Sequence, residues 1–294
     1  MQMDSSEAKL QRLNAREKRW LAAAVIAVVI MYVPTFRYLW GKWMEDAQYS
    51  LAYLVPCVSV YFAWQKWDEL KSLPRSSAPF GLALVVLALI THLTGEVLDV
   101  SGFSSVSIIL MLVGGCAYFH SIGLVRALWF PLAYTVFMVP IPGGIIDRIT
   151  FPMQLFASKA SGHLLQLMGI SVVRAGVRLT VDGYDFTVAP ECSGMSSLVA
   201  LVGVTAVFAY MTKLPRKYKW ALFACSVPIA IAANVMRITS IALIGYLWDW
   251  DIAMAIHKWA ASPVLFLFAI LLLFGVNWGF EWLSARRTTA SPSR

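Results

Sequence analysis

The sequence predicts an all-α polytopic membrane protein of about eight transmembrane helices, with a small extracytoplasmic amphipathic helix and a β-hairpin before the sixth. Three observations carry this. Of 294 residues, 59% are hydrophobic and only 14% charged, whereas a soluble domain carries about 25% charged residues. Lipid must then cover part of the surface. The apolar residues also gather into segments near the ~20 residues that a helix needs to cross the hydrocarbon core. The third observation is that the basic residues fall mostly at alternate ends of those segments. The net charge of +8 is thus read as cytoplasmic loops and not as a nucleic-acid surface.

The spans lie near 21–39, 49–65, 79–95, 103–119, 124–143, 193–211, 220–246 and 262–283. The first resembles a signal peptide, but Arg37, Trp40 and Lys42 follow it where a small-residue cleavage site would stand, so it is read as an uncleaved span. The second is the weakest, since it holds Tyr49, Tyr53 and Tyr61. Sixteen of the 24 Lys and Arg residues, among them Lys9, Lys66, Lys71, Arg75, Lys213 and Arg286, fall on one set of ends. That set is assigned to the cytoplasm, together with both termini. The clearest marker is Met211–Lys219, with four basic residues and no acidic one. Residues 1–20 are then a cytoplasmic segment, 21–284 a single transmembrane domain and 285–294 a cytoplasmic tail; no accessory domain is expected after the last span.

The loop 144–192 faces outward in this reading. Pro152 can open a helix and Gly169 can close it. Between them Leu155, Phe156, Ala160, Leu164 and Met168 form an apolar stripe suited to the membrane surface. Alternation through Val177, Leu179 and Val181, then Asp182-Gly183, then Tyr184, Phe186 and Val188 predicts a hairpin.

The chemistry-bearing residues follow. The hairpin ends at Pro190 and a helix is expected to begin near Cys192, in the run Pro190-Glu191-Cys192-Ser193-Gly194. A cysteine at a helix N-terminus meets unsatisfied N–H groups and the positive end of the helix dipole, both of which favour the reactive thiolate. Taken alone, the block also fits a polar cap made by Ser193 with Gly194 for close packing. In the seventh span, Asn234 and Arg237 share one face. An arginine near the apolar layer is costly unless it faces protein or water, and so marks a functional site; the plainer alternative is a side chain snorkelling to headgroups. His257 precedes the eighth span. The charge count puts Cys192, Arg237 and His257 at one outer face. A thiol, a guanidinium and an imidazole suffice for acyl transfer, as nucleophile, oxyanion stabiliser and proton carrier. The other cysteines, Cys57, Cys116 and Cys225, lie in apolar stretches and read as small hydrophobes. No C-x-x-C spacing suggests a metal, and no metal or cofactor is expected.

At these residues the sequence resembles the exosortase/archaeosortase family: the Pro190–Gly194 block, Asn234-x-x-Arg237, His257 before the last span, and Pro140-Ile-Pro142 upstream, over roughly residues 45–280. The resemblance implies a membrane-embedded cysteine protease or transpeptidase of the prokaryotic inner membrane, with its site facing the periplasm or exterior. It carries the catalytic roles to Cys192, Arg237 and His257. Its implied partners are exported proteins with a C-terminal sorting tail: a short motif of Pro-Glu-Pro type, a transmembrane helix and a basic cluster. On this reading Glu191, Asn234 and Ser193 support the cysteine and arginine. Arg174 and Arg178 are candidates for gripping substrate, with a solvated hairpin face as the plainer alternative. Two other readings stand beside it. A transporter would spread polar residues along the spans and show a repeat, and a non-catalytic assembly subunit would leave Cys192 unreactive. No G-x-S-x-G supports a serine protease.

Overall fold

The computed structural model describes residues 15–76, 78–188, 193–259 and 261–289. The chain divides into two compact units, residues 1–140 and 141–294. Both are built mainly of helices, and the protein is a polytopic all-α membrane protein. Large apolar side chains stand open along the helices, among them Val25, Ile30, Ile90, Leu93, Leu271 and Phe274. Open apolar surface on that scale requires a lipid environment.

In the first unit, α1 (Ala15–Met31) and α2 (Val33–Glu45) meet at Tyr32. Their apolar part is bent by 46° there. Pro34 lies in the first turn of α2, where its missing N–H costs no helical hydrogen bond. Next come α3 (Leu54–Gln65) and the short α4 (Trp67–Ser72). Then α5 (Pro79–Val97) and α6 (Ser101–Phe119) form a tightly packed helical hairpin. A Cβ on Gly81 would sit 2.4 Å from the Tyr118 backbone nitrogen, and one on Gly95 would sit 2.5 Å from Ser104 Oγ. Small residues let the two backbones approach, as membrane helices require. The unit closes with α7 (Ile122–Ala127) and α8 (Trp129–Tyr134), followed by a 3-10 turn at Thr135–Met138.

The second unit holds α9 (Gly143–Leu167), strands β1 (Val172–Ala175), β2 (Arg178–Val181) and β3 (Tyr184–Thr187), then α10 (Met195–Met211), α11 (Arg216–Leu247), α12 (Trp250–Trp259) and α13 (Ala261–Thr289). With 32 residues, α11 is about 48 Å long. It packs against α9, α10, α12 and α13. Of its apolar stretch 56% is buried, against 17% to 33% for the three other long apolar helices. It is the axis of this unit.

Two features differ from expectation. First, α9 begins at Gly143, and Pro152 lies inside it, so Pro152 does not open the helix. Gly169 at φ +82 follows its last turn; Ile170 N–H donates to Leu165 O and Gly169 N–H to Gln166 O, the two bonds of a Schellman ending. In α9 the stripe expected at the membrane surface stays open at Phe156, Leu164 and Met168, while the small and polar face turns inward: Gln154, Ala157, Ser158, Ser161 and Leu165 are buried. The inward polar groups are satisfied. Gln154 Nε2 donates to Val188 O at 3.1 Å, Ser158 Oγ to Gly176 O at 2.9 Å and Ser161 Oγ to Val235 O at 3.2 Å. Second, the sheet has three antiparallel strands in the order β1-β2-β3, where two are expected. Between β2 and β3 the chain reverses at Asp182 (φ 48) and Gly183 (φ 83), the positive values of a two-residue hairpin turn. Val172, Leu179 and Val181 pack with Ala157 and Leu165 of α9 and with Val235, Ile238 and Ala242 of α11. The sheet is thereby fixed to the central helix.

Among the described residues, four helices are long and apolar enough to cross a bilayer: Pro79–Val97, Ser101–Phe119, Arg216–Leu247 and Phe266–Arg286. The number rises to six if each of two bent helix pairs is one span. Length explains why the eight expected spans are not all reached. Leu54–Gln65 is apolar but has 12 residues, about 18 Å against a ~30 Å hydrocarbon core, and Met195–Met211 spans about 26 Å.

Candidate active site

The sixth apolar segment becomes helical at Met195, three residues after Cys192. Glu191 and Cys192 lie outside the described residues. The two residues after them fix the entry to α10. Ser193 is buried, and its Oγ accepts from Met195 N–H at 3.2 Å. Gly194 stands just before the helix at φ +85, a conformation that glycine adopts at little cost. A Cβ there would lie 2.8 Å from Asn234 Cγ. So Gly194 meets two conditions at once, a left-handed backbone and a face pressed against the Asn234 carboxamide.

That contact joins the start of α10 to the middle of α11. Asn234 and Arg237, one turn apart on α11, are 4% and 5% exposed. Both line a small cavity with Ser197, Leu201, Ala233 and Phe266, whose free volume of ≈ 10 Å³ holds about one water. Among the described residues lining it, Arg237 is the charged one. An arginine enclosed among apolar helices is expensive to place, which argues that it is kept for what it does.

His257 lies on α12 and is half-buried. The α12 helix is held at two points. Trp250 covers Gly245 of α11, where a Cβ would fall 2.4 Å from the indole ring. The same indole stacks on Tyr184 of β3, with centroids 4.0 Å apart and planes 10° apart. Further along, Ala253 packs against Ile241. The two helices therefore run antiparallel. One turn beyond Ala253 is His257, and one turn before Ile241 is Arg237. By helical spacing His257 shares the face of α12 that carries Trp250 and Ala253.

The two loop arginines do not converge. Arg174 pairs with Leu179 across the sheet and Arg178 with Thr187. Alternation then sets Arg174 on the Leu179 face and Arg178 on the opposite one. Arg174 Nη1 donates to Gly176 O at 2.9 Å. Arg178 Nη2 lies 3.4 Å from Asp185 Oδ2, both side chains exposed, and Thr180 Oγ1 also bonds Asp185. Sequence reasoning did not single out Trp250, Gly245 or Tyr184 as the parts that seat α12. The available signal was a lone glycine in an apolar helix, five residues before a tryptophan. Among the described residues no group of three or more His, Cys, Asp or Glu side chains is placed to hold a metal.

The family model for transmembrane exosortases matches residues 43–275. The chain belongs to the transmembrane exosortase family. The match covers both units, including α10, α11 and α12. Membership makes this exosortase an integral membrane protein of a protease or transpeptidase family, acting on protein substrates. No curated protein and no solved structure matches the chain.

Proposed function

We propose that this exosortase cleaves exported proteins at a C-terminal sorting tail, a Pro-Glu-Pro-type motif followed by a transmembrane helix, through a thioester on Cys192. The observation that carries the reading is the seat of Gly194 on Asn234, one turn from the enclosed Arg237. Chain connectivity alone keeps Cys192 within about 7 Å of Gly194 along the backbone. The antiparallel register of α11 and α12 supports His257 as the third member.

In this mechanism the Cys192 thiolate attacks the scissile carbonyl carbon. Arg237 stabilises the oxyanion or holds an acidic group of the motif. As the C–N bond breaks, His257 gives a proton to the leaving amine, and the tail helix stays in the bilayer. An acceptor amine or water then attacks the thioester, His257 takes its proton, and the thiolate is restored. Glu191, Asn234 and Ser193 orient the cysteine and arginine, while Arg174 and Arg178 offer a weaker grip on substrate from the sheet. The accompanying topology is eight crossings of a prokaryotic inner membrane, both termini cytoplasmic and the site on the outer face. Beyond the four long helices, the two bent pairs would give two crossings, and the two short apolar helices the remaining two with the bilayer thinned around them.

The test is tail processing in cells carrying Cys192→Ala, Arg237→Ala or His257→Ala. The cysteine variant is expected to process no substrate, and the other two to lose at least about a hundredfold, the scale of losing an oxyanion donor or a general acid. Processing at the normal rate by Cys192→Ala would defeat the mechanism.

A further inference from the structure

The first unit contains a second feature unrelated to the cysteine chemistry. Where α3 and α6 end, an open groove of ≈ 870 Å³ is lined by apolar side chains and by Lys71, Arg75 and His120. Among the described residues lining it there is no carboxylate. The order of groups along one edge is informative. Val60, Trp64, Trp67 and Lys71 recur at helical spacing, and all four line the groove. They pass from an aliphatic residue through two indoles to a cation. Val60 and Trp64 are each 68% exposed and Trp67 is 55% exposed. That sequence follows the layers of a bilayer leaflet: hydrocarbon, the aromatic belt, then phosphate.

The polar end is built rather than incidental. Ser76 N–H donates to His120 O at 2.8 Å, and Ser76 bridges to Ser121. This ties the strand of chain carrying Arg75 beside His120. Lys66 Nζ donates to Ala127 O at 2.7 Å, which holds the turn between α3 and α4 against the end of α7. Lys71 touches Asp68 only at 3.4 Å, with the aspartate side chain 98% exposed. Such a pair is weak enough for Lys71 to turn to another anion.

We propose that this groove is a binding site for an anionic phospholipid. Its phosphate sits among Lys71, Arg75 and His120, and its upper acyl chain lies on Val60, Trp64 and Leu128. A soluble phosphate would use the cations but leave the apolar wall uncovered; a zwitterionic lipid would cover the wall but add a cation to a basic rim. Charge and apolar lining together select the anionic lipid.

Native mass spectrometry of the purified full chain, titrated separately with phosphatidylglycerol and phosphatidylcholine, tests this. The wild type should retain phosphatidylglycerol preferentially, and Lys71→Gln/Arg75→Gln should weaken that binding roughly thirtyfold, about fivefold for each charge removed at a lipid surface. A second variant, Lys213→Gln/Lys217→Gln, removes the same charge elsewhere and should change binding less than about twofold. Equal losses in the two variants would overturn the site. So would equal retention of the two lipids, or displacement of the lipid by millimolar inorganic phosphate. All these residues are exposed or half-buried, and unchanged thermal unfolding of each variant separates lost binding from lost fold.

Discussion

Gly194 concentrates two demands in one position. Its φ of +85 and its 2.8 Å approach to Asn234 each exclude a side chain. Gly194→Ala is therefore expected to cost about 1–3 kcal/mol, the scale of a non-glycine residue forced into left-handed backbone, and to lower tail processing more than that loss of stability explains. Thermal unfolding in detergent beside a processing assay checks it; a variant that unfolds and cleaves like the wild type would show that the contact is idle. At this scale the sequence was informative in part. Arg237 and Asn234 could be singled out because a charged and an amide side chain three residues apart are rare in an apolar span. The role of Gly194 against Asn234 could not, because the partner is 40 positions away and a glycine does not announce which close approach needs it. Cys192 itself lies outside the described residues.

At the scale of elements, Trp250 is the piece that joins three of them. It stacks on Tyr184 of β3 and covers Gly245 of α11, and so sets the position of α12 and of His257. Trp250→Ala should reduce stability by about 1–3 kcal/mol, less than a fully buried aromatic truncation, and should slow processing at least tenfold. Trp250→Phe, which keeps a ring on Tyr184, should recover most of the rate. Loss of stability without loss of rate would mean that α12 does not position the histidine. The sheet thus serves as a mount, and the hairpin signal at Asp182-Gly183 located it well. On α9 the stripe suits the membrane surface, and Phe156 and Leu164 do stay open; what the sequence misjudged was where the helix starts. An apolar stripe is normally the buried face, because water drives it inward. Beside lipid that drive vanishes, and packing instead favours small and hydrogen-bonding residues between helices. Ser158, Ser161 and Gln154 accordingly face the protein, and Phe156 and Leu164 face out. The extension back to Gly143 was hidden by Pro152, since a proline is tolerated inside a helix when the neighbouring structure satisfies the freed carbonyl.

For the whole molecule, composition established the membrane class, and the segment pattern placed the apolar helices. The number of crossings was less legible, because a 12-residue apolar helix and a bent pair give the same hydropathy signal as a straight span. Topology is open to direct measurement. In a background without other reactive cysteines, Thr187→Cys should be modified by an impermeant maleimide in intact cells, and Lys213→Cys only after the membrane is opened. The reverse pattern would place the sheet and the Asn234–Arg237 region on the cytoplasmic side and remove exported proteins as substrates. The account as a whole turns on an acyl group being carried by Cys192. Rapid acid quench of the enzyme with a tailed substrate, followed by peptide mass spectrometry, reads that directly. The expected result is the upstream substrate fragment attached to the peptide bearing Cys192, released by neutral hydroxylamine and absent from Cys192→Ala. Cleaved tail accumulating while the acyl group appears on another residue, or on none, would contradict it.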